Sequence, residues 1–319
     1  MPAISRSACG KAILLGEHAV VHNQPAIAVP LSSKRVKVTV EPHILAPTGK
    51  IRVFSPLLDL DHDLTTLPEN HPVFQAVGLT LSELNILQNP SCTLHITSTL
   101  PISSGLGSSA ALAVATTRAL SEFLGHPLDL ETVNRIAFEC ETYVHGKPSG
   151  IDNTVVTYEK PILFQKGKKI EIFQPGKTFF FVFADSGVYK STWTTVASLA
   201  KDLEREPGRI QPKLEEIGQL TLQGKKALLS GDTSSLAAAI NHNQSILEEL
   251  DLSCPELDLL IAKSREAGAL AAKLTGGGKG GHMLALFEQD SLQPVLEILQ
   301  ELSGGKAFFT SLEPEENLR

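Results

Sequence analysis

A glycine- and serine-rich segment that feeds directly into a helix is the strongest constraint on this chain. Residues 101–111 read PISSGLGSSAA, and the helix-forming run AALAVATTRALSEFL follows at once. Glycine lets the backbone approach a ligand closely, and the first amides of a helix have no intrahelical partners. The aligned peptide dipoles add roughly half a positive charge at that end. The order of loop and helix therefore predicts an anion site, of the kind most often used for phosphate.

Two common nucleotide-binding loops fit this segment poorly. It is not a Walker A loop, because no Gly-Lys-Ser/Thr follows at the required spacing. Gly105, Gly107 and Ala110 do match the pattern G-x-G-x-x-A, which keeps a dinucleotide-binding dehydrogenase as an alternative. A dinucleotide loop, however, directly follows a strand, and an acidic residue ends the next strand. Here Pro101 to Ser104 intervene, and a second helix is predicted next, so NAD binding is disfavoured.

Bulk properties exclude several classes of partner. The chain has 319 residues, enough for two domains or one large one, and its net charge of -7 argues against nucleic acid. Its four cysteines are far apart and form neither a zinc spacing nor a disulfide framework. We therefore expect reduced, mostly buried thiols in a cytoplasmic protein. The most apolar run, FFFVFA at 179–184, is too short to span a membrane.

Hydrophobic periodicity predicts alternating strands and helices, an α/β (α+β) chain. In the first half we predict strands at 12–15, 34–42, 50–54 and 92–99, helices at 74–88, 110–124 and 130–146, and a hairpin at 154–173. The strand at 50–54 is expected to pair with 34–42, and Asp129 to cap the helix that follows it. In the second half we predict strands at 179–184, 271–275, 282–287 and 307–312, with helices at 192–205, 211–230, 234–250, 256–267 and 291–302. The break at Pro175-Gly176-Lys177 divides the chain into domains 1–176 and 177–319.

Two further segments carry polar groups suited to catalysis. In CGKAILLGEHAVVH, residues 9–22, Lys11 precedes an apolar strand, and Glu17 and His18 follow it. In ECETYVHGKPSGIDN, residues 139–153, a helix carries Glu141 and a tight loop aims Asp152. A helix-borne and a loop-borne carboxylate suit a magnesium ligand and a proton acceptor. The alternative for both segments is an ordinary solvated face or an exposed turn.

A last segment, KLTGGGKGGHMLAL at 273–286, places five glycines between two apolar strands. Glycine costs entropy on folding, so this composition indicates backbone held close to a ligand, with Thr275 as a hydroxyl donor. A flexible hairpin is the alternative. Taken alone, none of these segments is specific, and their combination carries the argument.

Together the segments resemble the GHMP kinase family. PISSGLGSSAA resembles its phosphate loop and KLTGGGKGGH its C-terminal glycine motif, and the resemblance spans nearly all 319 residues. Within the family, GKAILLGEHAVVHNQPAIAVPL and HGKPSGIDN are most similar to the members that phosphorylate mevalonate. Two departures are Leu100-Pro101, where Pro-Pro is usual, and Lys279, which is expected to face solvent or, less favoured, a phosphate.

The resemblance implies a two-domain fold, with a mixed-sheet N-terminal ATP-binding domain and a ferredoxin-like C-terminal domain. It implies transfer of phosphate from ATP to the C5 hydroxyl of (R)-mevalonate, a step in isoprenoid biosynthesis, with Mg²⁺ as cofactor and a homodimer as the assembly. The implied catalytic residues are Asp152 and Lys11, and the metal ligands are Ser109, with Ser108 as the alternative, and Glu141. The implied phosphate-binding residues are Pro101, Ser104, Gly105, Leu106, Gly107, Ser108, Ser109 and Ala110. The implied mevalonate-binding residues are Glu17, His18, Thr275 and Gly276, and either Tyr189 or Thr192 is expected to reach the substrate.

Two rivals remain at this point. Another kinase of the family would use a different acceptor, such as a sugar or 5-phosphomevalonate. A ligand sensor without catalytic activity could lose its catalytic lysine, aspartate or magnesium ligand, yet Lys11, Glu141 and Asp152 are all present. The residues therefore favour a catalyst over a sensor.

Overall fold

Two compact units make up the computed structural model, which describes residues 2–43, 49–56, 60–101 and 105–314. The first unit contains residues 1–11 and 30–159, and the second contains residues 12–29 and 160–319. Strands β1 (Ile4–Leu15) and β2 (Ala26–Pro42) each contribute residues to both units. The units are therefore not linear halves of the chain, and the domain boundary near residue 176 stays a prediction.

The first unit is a mixed sheet with helices. Its further strands are β3 (Ile51–Ser55), β4 (Leu60–Asp63) and β5 (Cys92–Ser98), and its helices are α1 (Pro72–Glu83), α2 (Ser108–Phe123), α3 (Leu130–His145) and α4 (Ile151–Tyr158). The strand order is β4-β3-β5-β2, with β3 parallel to β5 and the other neighbours antiparallel. The predicted pairing of 50–54 with 34–42 is wrong, because β5 lies between these strands and takes that edge of β2.

Helix α2 is buried over most of its length, because its residues are small and apolar on nearly every side. It packs against α1, α3 and α4. The helix α3 follows it directly, and Asp129 caps α3 by accepting a hydrogen bond from the Thr132 amide at 2.8 Å, as predicted. No strand intervenes between the two helices, so the dinucleotide-binding pattern is not formed here.

Helix α4 occupies residues that were predicted to start a hairpin. The run Thr154, Val155, Val156 and Thr157 is β-branched and favours a strand by propensity, yet all four residues are buried in a helix. Tertiary contacts with α2 and α3 override that preference. Only the later part of the prediction is confirmed, as the pairing of β6 (Ile162–Phe164) with β7 (Glu171–Ile172) in the second unit.

The second unit is built on a four-stranded antiparallel sheet, with order β11-β8-β10-β9. Its strands are β8 (Phe179–Asp185), β9 (Ala271–Thr275), β10 (His282–Phe287) and β11 (Ala307–Leu312), and its helices are α5 (Thr192–Arg205), α6 (Pro207–Ser230), α7 (Thr233–Glu249), α8 (Pro255–Glu266) and α9 (Leu292–Leu302). Helices α7 and α8 pack on β9, and α9 packs on β8 and β11. The predicted elements of this half are confirmed to within a few residues, and so is the mixed α/β fold class.

The cysteines are free thiols, and Cys9, Cys92 and Cys140 are buried. Burial raises the pKa of each of these three thiols to about 12. Within the described residues, no helix combines the length and the apolar character needed to cross a membrane. The cytoplasmic location and the homodimer stay predictions.

Gly176 is expected to tolerate no side chain, because a Cβ there would collide with the Leu229 carbonyl at the end of α6. We expect Gly176→Ala to lower the free energy of unfolding by about 1–3 kcal/mol. The matched control is Gly208→Ala in the same unit, where no atom lies within 4 Å of an added Cβ. Thermal and denaturant unfolding of both variants would check this, and equal stability of the two would contradict it.

Candidate active site

The predicted phosphate loop leads into α2 as expected. Gly105 and Gly107 have φ of 72° and 76°, and Gly107 forms the N-cap of α2. The Leu106 carbonyl accepts a hydrogen bond from the Lys11 amide at 2.9 Å, which joins the loop to β1. Ser104 lies outside the described residues. Contacts with phosphate stay predictions for the rest of the set, which is Pro101, Gly105, Leu106, Gly107, Ser108, Ser109 and Ala110.

Lys11 lies directly against the phosphate loop. A Cβ added at Gly107 would lie 2.8 Å from Lys11 Cγ, so this position requires glycine both for its contact and for its left-handed backbone. The Lys11 ammonium reaches Asp152, with 3.2 Å between Nζ and Oδ1. Both side chains are only partly exposed, at 12% and 32%. The two predicted catalytic residues are therefore brought together.

Asp152 lies in the first turn of α4, and the prediction that a loop carries it is wrong. Gly150 forms the N-cap with φ of 88°, a conformation that suits glycine, and Ile151 begins the helix. A carboxylate in the first turn is stabilised by the helix dipole. A rigid helix, rather than a turn, therefore sets the direction of the Asp152 side chain.

Helix α4 is tied to its neighbours by contacts that the sequence did not suggest. Asn153 donates from Nδ2 to Asn134 Oδ1 on α3 at 2.7 Å. Arg118 on α2 donates to the Thr157 carbonyl at 2.6 Å and also pairs with Glu159, at 3.2 Å. The helix that carries Asp152 is thus held by the helix that follows the phosphate loop.

Ser109 and Glu141 are also brought together. The Ser109 hydroxyl donates to Glu141 Oε1 at 2.6 Å, and Glu141 is buried on α3. Mg²⁺ is commonly bound through one or two carboxylates, with phosphates and water completing the shell. One hydroxyl and one carboxylate beside a phosphate loop fit that donor set. Among the described residues, no group of three or more His, Cys, Asp and Glu side chains is placed to hold a metal ion. Phosphate oxygens and water would therefore have to complete the shell at Ser109 and Glu141.

Glu17 is buried in the second unit, which overturns the alternative that it lies in an exposed turn. Its Oε1 forms an ion pair with Lys273 of β9, and the two side chains are 1% and 0% exposed. Lys273 also donates to the Leu274 carbonyl at 2.6 Å. Burial raises the pKa of Glu17 and lowers the pKa of Lys273, and the opposite charge of the partner counteracts both shifts.

His18 is buried as well, and its backbone adopts a φ of 59°. Its Nε2 lies 3.0 Å from the Gly277 carbonyl. A carbonyl only accepts hydrogen bonds, so Nε2 carries the proton. Burial lowers the pKa of His18 to about 4, and the ring is neutral at pH 7. The buried Nδ1 has no hydrogen-bond partner among the residues that the structure describes, and in this tautomer it is a hydrogen-bond acceptor.

The glycine loop at 276–281 packs against the protein's own backbone. A Cβ at Gly278 would collide with the Leu252 carbonyl, and one at Gly280 would collide with the Val188 carbonyl. At Gly277 it would lie 2.6 Å from Thr192 Oγ1. These three glycines are thus required by contacts within the second unit, whereas the sequence suggested a close approach to ligand.

The polar groups of this motif make contacts within the protein. The Thr275 hydroxyl donates to the Ile13 carbonyl at 2.7 Å, and its contact with substrate stays a prediction. Lys279 forms an ion pair with the exposed Asp251, with 2.6 Å between Nζ and Oδ1, and its orientation toward solvent or a phosphate stays a prediction. Gly276 has φ of 83° and open space around its Cα.

The loop after β8, residues 186–191, is anchored on a buried carboxylate. Asp185 accepts a hydrogen bond from the Gly187 amide at 2.9 Å and another from the Tyr189 hydroxyl. Asp185 also raises the pKa of Tyr189 to about 12. His282 is the cross-strand neighbour of Asp185 and is buried, and burial lowers its pKa. Whether Tyr189 or Thr192 reaches a substrate stays a prediction.

Sequence reasoning missed Lys273, Asp185 and the contacts of Arg118. A lysine inside the otherwise apolar run AAKLT was the available signal for Lys273, because a charge in a buried strand needs a partner. Asp185 gave a similar signal, because it places a charge at the end of the apolar strand FFFVFA. For Arg118, one arginine in an alanine-rich helix was the only indication.

Comparison with known families matches both halves of the chain. Residues 71–160 match the GHMP kinases N terminal domain, and residues 225–303 match the GHMP kinases C terminal domain. The chain belongs to the GHMP kinase family. The resemblance noted in the motifs is thereby confirmed, and with it an ATP-using kinase fold.

Individual relatives are similar along nearly their whole length. The mevalonate kinase of Pyrococcus furiosus is 32% identical over 97% of this chain and 96% of its own. The mevalonate kinase of Archaeoglobus fulgidus is 35% identical over 88% of this chain and 92% of its own. Among solved structures, L. major mevalonate kinase in complex with R-mevalonate has a TM-score of 0.83 and 28% identity, covering 98% of this chain and 96% of that one.

Gly107→Ala is expected to reduce phosphoryl transfer by about two orders of magnitude, because the added methyl would displace Lys11 from Asp152. Gly125→Ala is the matched control, since Gly125 has a similar φ of 82° in the same unit and open space around it. Both variants carry comparable backbone strain, so the difference in kcat isolates the contact with Lys11. Equal kcat values would show that this contact does not position the lysine.

Proposed function

We propose that this protein transfers the γ-phosphoryl group of ATP to the C5 hydroxyl of (R)-mevalonate. The observation that carries the proposal is the Lys11–Asp152 pair beside the phosphate loop. It lies in a chain that is similar to mevalonate kinases over nearly its whole length. The products are 5-phosphomevalonate and ADP, and the reaction belongs to isoprenoid biosynthesis.

The phosphate loop would bind the ATP phosphates through backbone amides. The left-handed turns at Gly105 and Gly107 precede the free amides at the start of α2. These amides and the helix dipole favour negative charge where it develops during transfer. Because the loop is bonded to β1, the donors are positioned before ATP arrives.

Ser109 and Glu141 would hold Mg²⁺ together with phosphate oxygens. The cation would supply positive charge that neutralises the phosphates during transfer. Of the two serines left open by the sequence, we assign Ser109, because its hydroxyl lies 2.6 Å from the Glu141 carboxylate. Glu141 is buried on α3, which fixes the direction of that carboxylate.

Asp152 would orient the C5 hydroxyl and receive its proton. The new bond joins the C5 oxygen to the γ-phosphorus, and the bond to the bridging oxygen of ADP breaks. An aliphatic hydroxyl is a very weak acid, so the proton moves to Asp152 late in a loose transition state. Lys11, 3.2 Å from that carboxylate, would stabilise the negative charge that develops on the transferring group.

His18 would recognise a hydroxyl of mevalonate rather than its carboxylate. Its Nδ1 is an acceptor in the neutral ring, and only a donor such as a hydroxyl can satisfy it. A carboxylate would need a donor at this atom. Glu17 and Thr275 contact Lys273 and Ile13, so we assign them to holding His18 and its neighbours rather than to direct contact with substrate.

An acceptor panel tests the substrate. We expect ADP release from ATP and Mg²⁺ with (R)-mevalonate, and none above background with 5-phosphomevalonate, galactose or homoserine. Turnover with a different acceptor would keep the chemistry and refute the substrate. Nucleotide binding without turnover on any acceptor would favour a ligand sensor.

Asp152→Asn and Lys11→Met are each expected to lower kcat by roughly 10²–10⁴-fold, because each removes a group that acts on the reacting atoms. The control is Asp61→Asn, which breaks the exposed ion pair with Arg52 in the same unit and should leave kcat within about twofold. Steady-state kinetics and thermal unfolding of the three variants check this. Normal turnover in either catalytic variant would refute its role.

Ser109→Ala is expected to raise the Mg²⁺ concentration needed for half-maximal activity by about tenfold, because it removes one oxygen ligand. Ser121→Ala is the control, since its hydroxyl bonds within α2 to the Arg118 carbonyl. Magnesium titrations at saturating ATP would measure the effect. A shift in Ser108→Ala instead would move the ligand to that residue.

A further inference from the structure

Lys273 has no role in the chemistry described above, yet it is the most deeply buried cation of the second unit among the described residues. It lies on β9, is 0% exposed, and forms its ion pair with Glu17, which is 1% exposed. Both residues belong to the second unit, although they are 256 positions apart in the chain. Two opposite charges are therefore buried away from water at the contact between β9 and the segment after β1.

Stability alone does not explain such a pair. Removing two charges from water costs free energy that their mutual attraction often fails to repay, and well-packed apolar side chains of similar size frequently do as well or better. Here the compensation is incomplete, because Glu17 Oε2 is buried and has no hydrogen-bond partner in the described part of the chain. An interaction of this kind is better suited to specifying one geometry than to strengthening the fold.

The geometry in question is that of the segment at 13–18. Three contacts join it to β9 and the glycine loop, namely Thr275 with the Ile13 carbonyl, Lys273 with Glu17, and the Gly277 carbonyl with His18. Lys273 and Thr275 are two apart on one strand, so their side chains leave the same face of the sheet. The segment is thus fixed at both ends, with the ion pair next to His18.

The backbone of this segment needs such support. Gly16 has φ of 99°, and His18 has φ of 59°, which is uncommon for a residue with a side chain. A backbone of this kind persists only where surrounding contacts over-determine it. Besides the local hydrogen bond from the Val21 amide to the His18 carbonyl, this backbone is held by the bond of His18 to Gly277 and by the ion pair of Glu17.

We propose that Lys273 is a positioning residue for acceptor binding, which pairs with Glu17 and thereby keeps His18 in its left-handed conformation with Nε2 bonded to Gly277. Lys273 touches neither ATP nor mevalonate in this assignment. Its loss would impair recognition of the acceptor, whereas the phosphate-binding residues of the first unit would keep their arrangement. The kinetic test of this inference rests on the proposed function, whereas its hydrogen-exchange test rests on the structure alone.

The kinetic test compares Lys273→Met with a double variant, Glu17→Gln with Lys273→Met. The single change leaves the Glu17 carboxylate buried without its counter-charge, so we expect KM for mevalonate to rise by tenfold or more and KM for ATP to stay within twofold. The double change removes the ion pair without leaving a buried charge, so we expect the melting temperature to recover while KM for mevalonate stays at least fivefold above that of the wild type. Lys225→Met is the control, because it removes a surface ion pair with Glu171 in the same unit.

Hydrogen exchange of the free protein gives the second readout. We expect amides at 13–18 to exchange at least tenfold faster in both variants than in the wild type. Unchanged KM for mevalonate in a folded Lys273→Met would overturn the proposal. So would a raised KM with unchanged exchange in the double variant, since the Glu17 carboxylate would then act on the acceptor itself.

Two further outcomes remain decisive. If Lys273→Met does not fold, the double variant carries the test alone, and a KM for mevalonate within twofold of the wild type would overturn the proposal. If the wild type does not phosphorylate mevalonate, the proposed function fails. The exchange measurement then still decides whether Lys273 holds the segment at 13–18.

Discussion

The close approach of β1 to the phosphate loop is the constraint on which the first unit depends. Glycine stands on both sides of this contact, since a Cβ at Gly10 would lie 2.8 Å from the Leu106 carbonyl and one at Gly107 would lie 2.8 Å from Lys11 Cγ. The hydrogen bond from the Lys11 amide to the Leu106 carbonyl is possible only because Gly10 and Gly107 carry no side chain. The proposed catalytic cation, Lys11, is thereby set beside the predicted phosphate loop without any contribution from ligand, which is the arrangement that electrostatic catalysis requires.

Two ion pairs of the same chemistry serve different purposes because their surroundings differ. The Lys11–Asp152 pair is partly exposed, so water can share its charges and an incoming substrate can replace one partner. The Lys273–Glu17 pair is dry, and either charge left alone would be costly. A partly exposed pair suits a reaction in which charge moves. A buried pair suits a contact whose geometry must stay fixed.

Much of the fold could be predicted from sequence because local signals carry it, whereas the choice of Lys11 and Asp152 rested on the resemblance to the GHMP kinase family. The phosphate loop, the cap at Asp129 and the helices of the second unit follow from glycine, capping and periodicity. Local signals failed at α4, where β-branched residues form a helix because contacts from Arg118 and Asn134 outweigh propensity. They also failed at β3, because β5, a strand distant in the chain, pairs with β2 and lies between β2 and β3. The buried Lys273 needed a partner that only the tertiary fold identifies.

The composition of the second unit bears on how the chain is made in a cell. Residues 12–29 precede residues 160–319 in the chain, so they are synthesised well before the rest of their unit. Glu17 loses its water to Lys273 only after that residue, 256 positions later, has been synthesised. Domains generally fold as units during synthesis. The segment at 12–29 must therefore stay available while residues 30–159 are made, and the second unit closes around two separated stretches of the chain.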